Sequence, residues 1–385
     1  MPNIPLIFNS PFDSIDKNYF LKHYWQKRPC FFKKAFHSPP SYLSADELAG
    51  FSLLDDVESR LIKKSSNQQW SIEHGPFDES RFETLTESHW TLLVQSIDTW
   101  APQTRELLSH FSFIPRWRFD DIMLSFATDQ GGVGPHADNY DVFLVQGDGE
   151  RRWRVGSKGV LSSNQSIIEG MCHQAEFDPI IDEVMQPGDM LYIPPETPHW
   201  GISLGESMGY SVGYRSMQTH QLLALLTESL SNDVQYQQFF TDEYRKQINQ
   251  SNHLEKEIVH WAQEQLVKLS KQPQLLQQLI GQQLSCSKLG QYENNHEIKI
   301  DSLDEKTTIQ LDQEVGVNWS LSNNKILLNV EGESYFFEVN TLKTIEKFCN
   351  YLPVSIKGFN FSSNDIDFPE TLANLLNKGH IKLTN

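Results

Sequence analysis

The 385-residue sequence has few cysteines and an excess of acidic over basic residues, and both features narrow the possible classes of protein. Its four cysteines, Cys30, Cys172, Cys286 and Cys349, are widely spaced and include no C-x-x-C pair, which disfavours a disulfide framework and favours a reducing compartment. We therefore expect a cytoplasmic protein. Lysine and arginine number 32 against 50 acidic residues, and the net charge of −18 either favours a basic partner over nucleic acid or serves solubility alone.

Long apolar runs are also missing. No stretch approaches the ~20 apolar residues that a membrane helix needs, and the first residues lack the basic and cleavable apolar regions of a signal peptide. We therefore expect neither a membrane span nor a signal peptide. Hydrophobic residues nevertheless make up 38% of the chain, with 9 Trp and 23 Phe, which is enough for more than one core. The length predicts about two to three domains.

The middle of the chain, from 121 to 216, is typical of short strands joined by Gly/Pro turns, and it predicts a sandwich or a barrel. The predicted strands are Ile122–Ala127, Val142–Gln146, Arg151–Val155, Met190–Ile193 and Tyr210–Tyr214. Because Gly147-Asp148-Gly149 separates the second and third of these, we expect those two to form a β-hairpin.

The flanking regions have a mainly helical pattern. Before the middle region, we predict a helix over 16–25, a strand at 30–32, a helix capped by Ser44 and Glu47, and helical structure over 87–114. After it, residues 218–285 show leucine-rich helical spacing. Farther on we predict a hairpin over 325–330 and 334–339, then helices near 341–350 and 369–377.

Three side chains form a candidate metal site. His136 and Asp138 follow a glycine-rich approach, and two residues apart on extended backbone they share a face. If Phe143 and Val145 face inward, strict alternation from His136 would fail, so the chain must turn or bulge at residues 139–141. His199 follows a proline-rich stretch and is predicted at a loop or strand start. Two imidazoles and one carboxylate can bind one face of a non-haem Fe(II) and leave the other positions open.

A candidate anion site lies on the strand after residue 149. Arg151 alternates with Trp153 and Val155, so it is predicted to face inward, because Trp153 belongs in the core. A buried guanidinium needs an anion or hydrogen-bonded partners. Since no acidic residue shares this face, a ligand carboxylate is the natural partner, and Ser125 could supply a second donor.

Several stretches resemble the JmjC-type, cupin-fold 2-oxoglutarate oxygenases, and within them the bacterial ribosomal oxygenases that hydroxylate an arginine of a ribosomal protein. The resemblance covers residues 16 to about 220. Its motifs are Tyr24–Pro29, Leu43–Gly50, Gly131–Asp138, Tyr140–Gly147, Arg151–Gly156, Pro187–Gly201 and Tyr210–Arg215. Gly209, just before the last motif, stands where we expect a polar residue.

This resemblance implies a function and a domain organisation. His136, Asp138 and His199 would bind Fe(II), Ser125 and Arg151 would bind 2-oxoglutarate, and O2 would be the second cosubstrate. The implied fold is α+β, a double-stranded β-helix with N-terminal helical elaboration (1–216), followed by a helical dimerisation region (217–285) and a winged-helix-like domain (286–385). The substrate would be an arginine side chain of a basic large-subunit ribosomal protein, and the oligomer a homodimer.

Other interpretations stay open from the sequence. The chain could be a histidine hydroxylase of ribosomal proteins, a non-redox metal-binding cupin, a scaffold with a vestigial site, or, with little support, a lysine demethylase. Asp141 is a candidate to meet a substrate guanidinium, or it simply caps a turn. After residue 286 the chain carries nine Lys, no Arg and fourteen acidic residues, so we expect no direct DNA binding by its C-terminal domain.

Overall fold

A computed structural model describes residues 6–65, 69–159, 172–173, 177–231, 233–241, 243, 254, 256–286, 307–359 and 367–384. The chain divides into two compact units, Met1–Ser216 and Met217–Asn385. The three-domain division at residues 216 and 285 stays a prediction.

The strands of the first unit form two sheets. In chain order they are β1 (Ile7–Phe8), β2 (Cys30–Phe32), β3 (Ser59–Lys64), β4 (Trp70–His74), β5 (Trp90–Val94), β6 (Phe119–Ala127), β7 (His136–Ala137), β8 (Asp141–Gln146), β9 (Glu150–Val155), β10 (Cys172–His173), β11 (Ile181–Met185), β12 (Met190–Ile193), β13 (His199–Leu204) and β14 (Ser207–Tyr214). The large sheet has the order β1-β2-β12-β8-β14-β6-β5-β3-β4, and the small sheet has the order β10-β7-β13-β9-β11.

The two sheets face each other and enclose an apolar layer. Val142 and Leu144 of the large sheet pack with Trp153 and Val155 of the small sheet in one buried cluster. Along β9 burial alternates, with Arg151, Trp153 and Val155 buried, as the sequence pattern predicts. This is the double-stranded β-helix that the resemblance implies, so the predicted barrel is confirmed.

A second core covers the outer face of the large sheet. Phe143 and Val145 of β8 do not face inward, as the hairpin prediction assumed: they point away from the barrel interior and pack with Phe20, Leu48 and Phe111. These come from α1 (Lys17–His23), α2 (Ala45–Phe51) and a 3-10 helix at Pro102–Phe111. Further helices of this unit are α3 (Glu79–Glu83) and α4 (Ile97–Trp100). The predicted capping box of Ser44 and Glu47 is present, so this helix start was readable from sequence.

The predicted hairpin at Gly147-Asp148-Gly149 is wrong. β8 pairs with β12 and β14 in the large sheet, whereas β9 pairs with β11 and β13 in the small sheet. The loop therefore carries the chain from one sheet to the other. Gly149 adopts φ 69°, and a Cβ there would collide with the carbonyl oxygen of Glu206. A hairpin and a crossing between sheets have the same glycine signature, and only the packing of the sheets distinguishes them.

The helical prediction for residues 87–114 is wrong in its first part. Trp90–Val94 form β5, which lies between β3 and β6 in the large sheet. The helical part consists of α4 and the 3-10 helix. Leu92, Leu93 and Val94 are all buried, and a short apolar run of this kind does not by itself distinguish a strand from a buried helix.

The second unit combines helices with two small sheets. Its elements are α5 (Thr219–Leu230), α6 (Lys256–Ser270), α7 (Pro273–Ser285), β15 (Thr308–Leu311), β16 (Val317–Ser322), β17 (Lys325–Val330), β18 (Glu333–Glu338), α8 (Leu342–Cys349), β19 (Val354–Ser355), α9 (Asp367–Asn377) and β20 (Ile381–Thr384). The predicted hairpin is confirmed as β17–β18. Among the described residues, no helix has both the length and the apolar character to cross a membrane.

Candidate metal centre

Strand pairing brings the two predicted histidines together. His136 begins β7 and His199 begins β13, and these two residues are direct partners in the antiparallel ladder. Side chains that are opposite each other in such a ladder lie on the same face of the sheet. The two imidazole rings consequently lie with their centroids 4.1 Å apart, and both residues are buried. His199 thus stands at a strand start, as predicted.

Asp138 completes the group from the end of β7. The chain bends at Asn139 and Tyr140 and enters β8 in the opposite sheet, so the predicted turn at 139–141 is confirmed. The Oδ2 atom of Asp138 lies 3.8 Å from Nε2 of His136 and 3.5 Å from Nε2 of His199. One ligand atom from each residue lies within 4.8 Å of the other two. The structure therefore brings the three predicted ligands into one cluster.

Hydrogen bonds fix the orientation of both imidazole rings. Nδ1 of His136 donates to the carbonyl of Gly134, and Nδ1 of His199 donates to the carbonyl of Thr197, each at 2.9 Å. Since a carbonyl only accepts, each Nδ1 carries a proton and each Nε2 is the nitrogen that faces the cluster. Burial, together with the neighbouring His136, lowers the pKa of His199 to about 4, so this ring is neutral at neutral pH.

The donor set fits a catalytic divalent metal. Two oriented imidazoles and a carboxylate are the ligands of the facial triad that holds non-haem Fe(II). The side chain of Asp138 keeps 18% exposure, against 7% for His136 and 3% for His199. The cluster is therefore closed behind the histidines and accessible beside the carboxylate, which leaves coordination positions for other ligands.

Arg151 lies inside the barrel with only neutral partners. Its side chain donates to the Ser125 hydroxyl at 2.8 Å, to the Ser207 hydroxyl at 2.9 Å and to the Ser207 carbonyl at 3.1 Å. Burial lowers the pKa of this guanidinium to about 10, so it remains charged at neutral pH. Among the described residues, the hydrogen-bond partners of its nitrogens are Ser125 and Ser207, and neither is a carboxylate. Ser207 was not predicted, because only the contact between sheets reveals its role.

Gly209 leaves the space beside this guanidinium open. A Cβ at this position would lie 3.1 Å from Arg151 Nη1 and 3.6 Å from the Ser125 hydroxyl. The side chain that we expected at position 209 would therefore point at the anion site. Its absence widens this end of the barrel beside Arg151. The Ser125 hydroxyl, which accepts from Arg151, donates to the Gly209 carbonyl at 3.0 Å.

A second group of polar side chains lies farther along the barrel. Asp121 is four residues before Ser125 on β6 and has the same facing, which corresponds to a separation of roughly 13 Å along the strand. The charge of Asp138 is the main cause that raises the pKa of the Tyr140 hydroxyl; burial and the charge of Asp121 add to it. Tyr140 thus lies within electrostatic reach of both carboxylates. The sequence did not single out Asp121, whose signal is alternation with Met123 and Ser125.

Asp141 does not face this part of the barrel as an available acceptor. It is fully buried, accepts from the Tyr192 hydroxyl at 2.6 Å and from Gln26 Nε2 at 2.9 Å, and pairs with Arg118 at 3.2 Å. These three partners anchor the start of β8 just after the bend. The hypothesis that Asp141 meets a substrate guanidinium is therefore wrong, because its carboxylate is already paired inside the fold.

The fold and the three-residue cluster together are those of the JmjC domain type. The JmjC domain family model matches residues 106–222. The chain is 45% identical over 206 residues to the ribosomal protein uL16 3-hydroxylase of Escherichia coli, covering 53% of this chain and 54% of that protein. It is 38% identical over 207 residues to a probable ribosomal oxygenase of Haemophilus influenzae, covering 53% and 50%. These sequence matches span about half the length of the two curated relatives.

A solved structure extends the comparison over nearly the whole chain. The Escherichia coli ribosomal oxygenase YcfD, in complex with cobalt and 2-oxoglutarate, superposes with a TM-score of 0.79 at 30% identity, covering 97% of this chain and 99% of that one. The chain belongs to the family of bacterial ribosomal oxygenases.

Metal binding should depend on the Asp138 carboxylate. We expect Asp138→Ala to weaken binding of Mn(II) or Co(II) more than about a hundredfold, because groups that merely orient ligands already contribute about 10- to 100-fold. Titration of the purified full-length chain measures this. The control is Glu196→Ala. It removes an exposed carboxylate and keeps the backbone N–H of residue 196, which donates to the Asp138 backbone carbonyl. Equal metal affinity in the two variants would contradict the assignment of Asp138 as a metal ligand.

Proposed function

We propose that the protein is an Fe(II)- and 2-oxoglutarate-dependent hydroxylase of an arginine side chain in ribosomal protein uL16. The observation that carries the proposal is the combination of an oriented His136-Asp138-His199 cluster with a buried cation in the same barrel. A metal-binding cupin without redox chemistry would need no anion site opposite its metal. The relative that hydroxylates uL16 and the structure that holds cobalt with 2-oxoglutarate support this choice.

Each residue then has a definite role. His136, Asp138 and His199 would hold the metal, which with 2-oxoglutarate and O2 supplies the oxidising chemistry of the reaction. Arg151 and Ser125 would bind the far carboxylate of 2-oxoglutarate through charge-assisted hydrogen bonds. The Ser125 hydroxyl would turn its proton from the Gly209 carbonyl to this carboxylate. Arg151 pairs with Ser203, four residues along β13 from His199, so the anion site lies roughly 13 Å along the strand from the metal ligand. 2-Oxoglutarate and the side chain of Arg151 together can span this separation.

The specificity for arginine is supported by Asp121. Its Oδ2 atom accepts three hydrogen bonds, while its Oδ1 atom faces Gly213 on the neighbouring strand, where a Cβ would lie at 3.4 Å. Among the described residues, Asp121 forms no ion pair that would neutralise it. A buried carboxylate with a free oxygen favours a cationic side chain, which a neutral histidine does not provide.

The charge and the cysteine content of the chain support a basic partner and a reducing compartment. A chain of net charge −18 attracts a basic ribosomal protein, and complementary charge speeds encounter. We place this reaction in the cytoplasm, where the few scattered cysteines would stay reduced. The acidic C-terminal stretch is expected not to bind DNA directly.

We further propose that the protein is a homodimer through its helical region. Helices α5 and α6 expose apolar side chains, among them Leu223 (51%), Val259 (50%) and Leu266 (62%), and the nearby Phe239 is 89% exposed. An amphipathic helix that leaves large apolar side chains exposed can use them as an interaction surface. Packing of these faces within a single chain is the alternative, and the oligomeric state distinguishes the two.

Arg151→Ala should chiefly raise the 2-oxoglutarate requirement. The lost hydrogen bonds to a charged group are worth about 1.5–3 kcal/mol, which corresponds to an increase in the apparent KM of about ten- to over a hundredfold. Succinate formation at varied 2-oxoglutarate concentration measures it. Arg152→Ala is the matched control, because Arg152 is the next residue but pairs with Asp182 at the surface. An unchanged KM in Arg151→Ala would mean that another residue holds the carboxylate.

The product identifies the substrate residue. We expect purified enzyme with Fe(II), 2-oxoglutarate and O2 to add one oxygen atom to an arginine of uL16, because Asp121 can bind the guanidinium. Tandem mass spectrometry of uL16 from cells with and without the gene locates the modification, and His199→Ala serves as the inactive control. Oxidation of a histidine, with arginine unmodified, would assign the chain to histidine hydroxylation instead.

Sedimentation decides the oligomeric state. We expect the full-length chain at low micromolar concentration to sediment at about twice its monomer mass of 44.4 kDa, because the apolar helix faces are then covered. Leu266→Glu should shift the equilibrium to monomer, whereas Leu321→Glu, at an exposed leucine of β16, is the control. A single species of monomer mass in the unsubstituted protein would contradict the dimer.

A further inference from the structure

One oxygen of Asp121 is held by a set of donors that leaves the other oxygen free. Oδ2 accepts from Gln95 Nε2 at 2.5 Å, from the Ser96 backbone N–H at 2.9 Å and from the Ser96 hydroxyl at 3.2 Å. All three donors come from the segment just after β5. A carboxylate that is held by one oxygen only cannot rotate freely about its terminal torsion, so the direction of Oδ1 is fixed as well.

The orientation of the Gln95 amide is set by Arg60. Nη2 of Arg60 donates to Oε1 of Gln95 at 2.5 Å. Since a guanidinium has no acceptor, the amide must present its oxygen to Arg60 and its NH2 group to the carboxylate. The reversed amide would place NH2 against the guanidinium and oxygen against Asp121, which is repulsive at both ends. Arg60 therefore acts on Asp121 through one intervening side chain.

Gln95 also keeps two opposite charges apart. Arg60 is on β3 and pairs with Leu93 on β5, and β5 pairs with β6, which carries Asp121. The cation and the carboxylate thus lie two strands apart in the same sheet, with a neutral amide between them. If Arg60 bonded Asp121 directly, it would neutralise the charge that a cationic ligand needs. The amide passes on the orientation and leaves the negative charge of Asp121 available.

We propose that Arg60 and Gln95 are positioning residues that fix the Asp121 carboxylate for recognition of the substrate guanidinium. The inference rests on the proposed arginine hydroxylation and deepens it, since it names the residues that set substrate specificity without touching substrate. It assigns to Gln95 a hydrogen-bonding role that neither a hydrophobic residue nor an acid of similar size can fill.

The test compares a cationic substrate with its neutral isostere. A uL16 peptide containing the target arginine and the same peptide with citrulline at that position are titrated against the metal-loaded full-length enzyme, and the ratio of their dissociation constants is recorded. The variants are Asp121→Asn, Gln95→Met and Arg60→Met. Gln186→Met is the matched control, because this glutamine is exposed in the turn before β12 and its amide contacts Glu150 at the surface.

We expect the unsubstituted enzyme to prefer the arginine peptide, and Asp121→Asn to remove most of that preference. Gln95→Met should lower the ratio about tenfold by weakening arginine binding, with citrulline binding little changed, because the carboxylate loses one of its three donors and is held less firmly. Arg60→Met should act in the same direction with a smaller effect. The apparent KM for 2-oxoglutarate, set by Arg151, is the internal reference and should stay constant in both positioning variants.

Two different results would overturn the inference. If Asp121→Asn removes the preference but Gln95→Met and Arg60→Met keep it, the positioning role is wrong and the proposed arginine recognition survives. If Asp121→Asn itself keeps the preference, recognition by Asp121 is wrong and the positioning role is wrong with it. A Gln95→Met protein that fails to fold leaves the decision to Arg60→Met, which retains both donors to Oδ2 from Ser96.

Discussion

The register of β13 is the constraint on which the metal centre depends. This strand pairs on one side with β7, so that His199 lies opposite His136, and on the other side with β9, so that Ser203 lies opposite Arg151. A slip of one residue would turn every side chain of β13 to the other face of the sheet. It would remove a metal ligand and shift the Ser203 hydroxyl, which lies 2.6 Å from Ser207, the partner of Arg151. One register therefore serves both ends of the barrel.

The barrel separates its two electrostatic tasks by distance along the strands. Arg151 is a buried cation whose partners are hydroxyl and carbonyl oxygens, and Asp121 is a buried carboxylate whose Oδ2 is bound by neutral donors. Placed next to each other, the two groups would neutralise each other as an ion pair. Held apart in the barrel interior, Arg151 on the small sheet and Asp121 on the large sheet, each keeps its charge at a cost in folding free energy.

Networks outside the barrel interior hold the ligands in place. The buried Asp141 ties β8 to Tyr192, Gln26 and Arg118 three residues after Asp138. The aromatic core on the outer face of the large sheet packs over the same region, where Trp25 stacks on Tyr192 with ring centroids 5.7 Å apart. The N-terminal helices thus support the bend that carries the carboxylate ligand. Rigid support of this kind is what a metal site requires to keep its geometry.

Much of the site could be predicted from sequence, because the signals are local. The separation of His136 and Asp138 by two residues, the strand start at His199 and the alternation of Arg151 with Trp153 depend only on strand periodicity. The capping box at Ser44 and the hairpin of β17 and β18 were likewise determined by neighbouring residues.

The tertiary structure alone decided which strands pair and which polar groups meet. The loop at Gly147–Gly149 crosses between sheets instead of closing a hairpin. Residues 90–94 form a strand because they pair with β3 on one side and with β6 on the other. Ser207, Gln95 and Arg60 meet their hydrogen-bond partners, and Asp141 is paired inside the fold, through contacts with residues distant in sequence. Such contacts depend on register and packing across the whole barrel, which no local pattern of residues encodes.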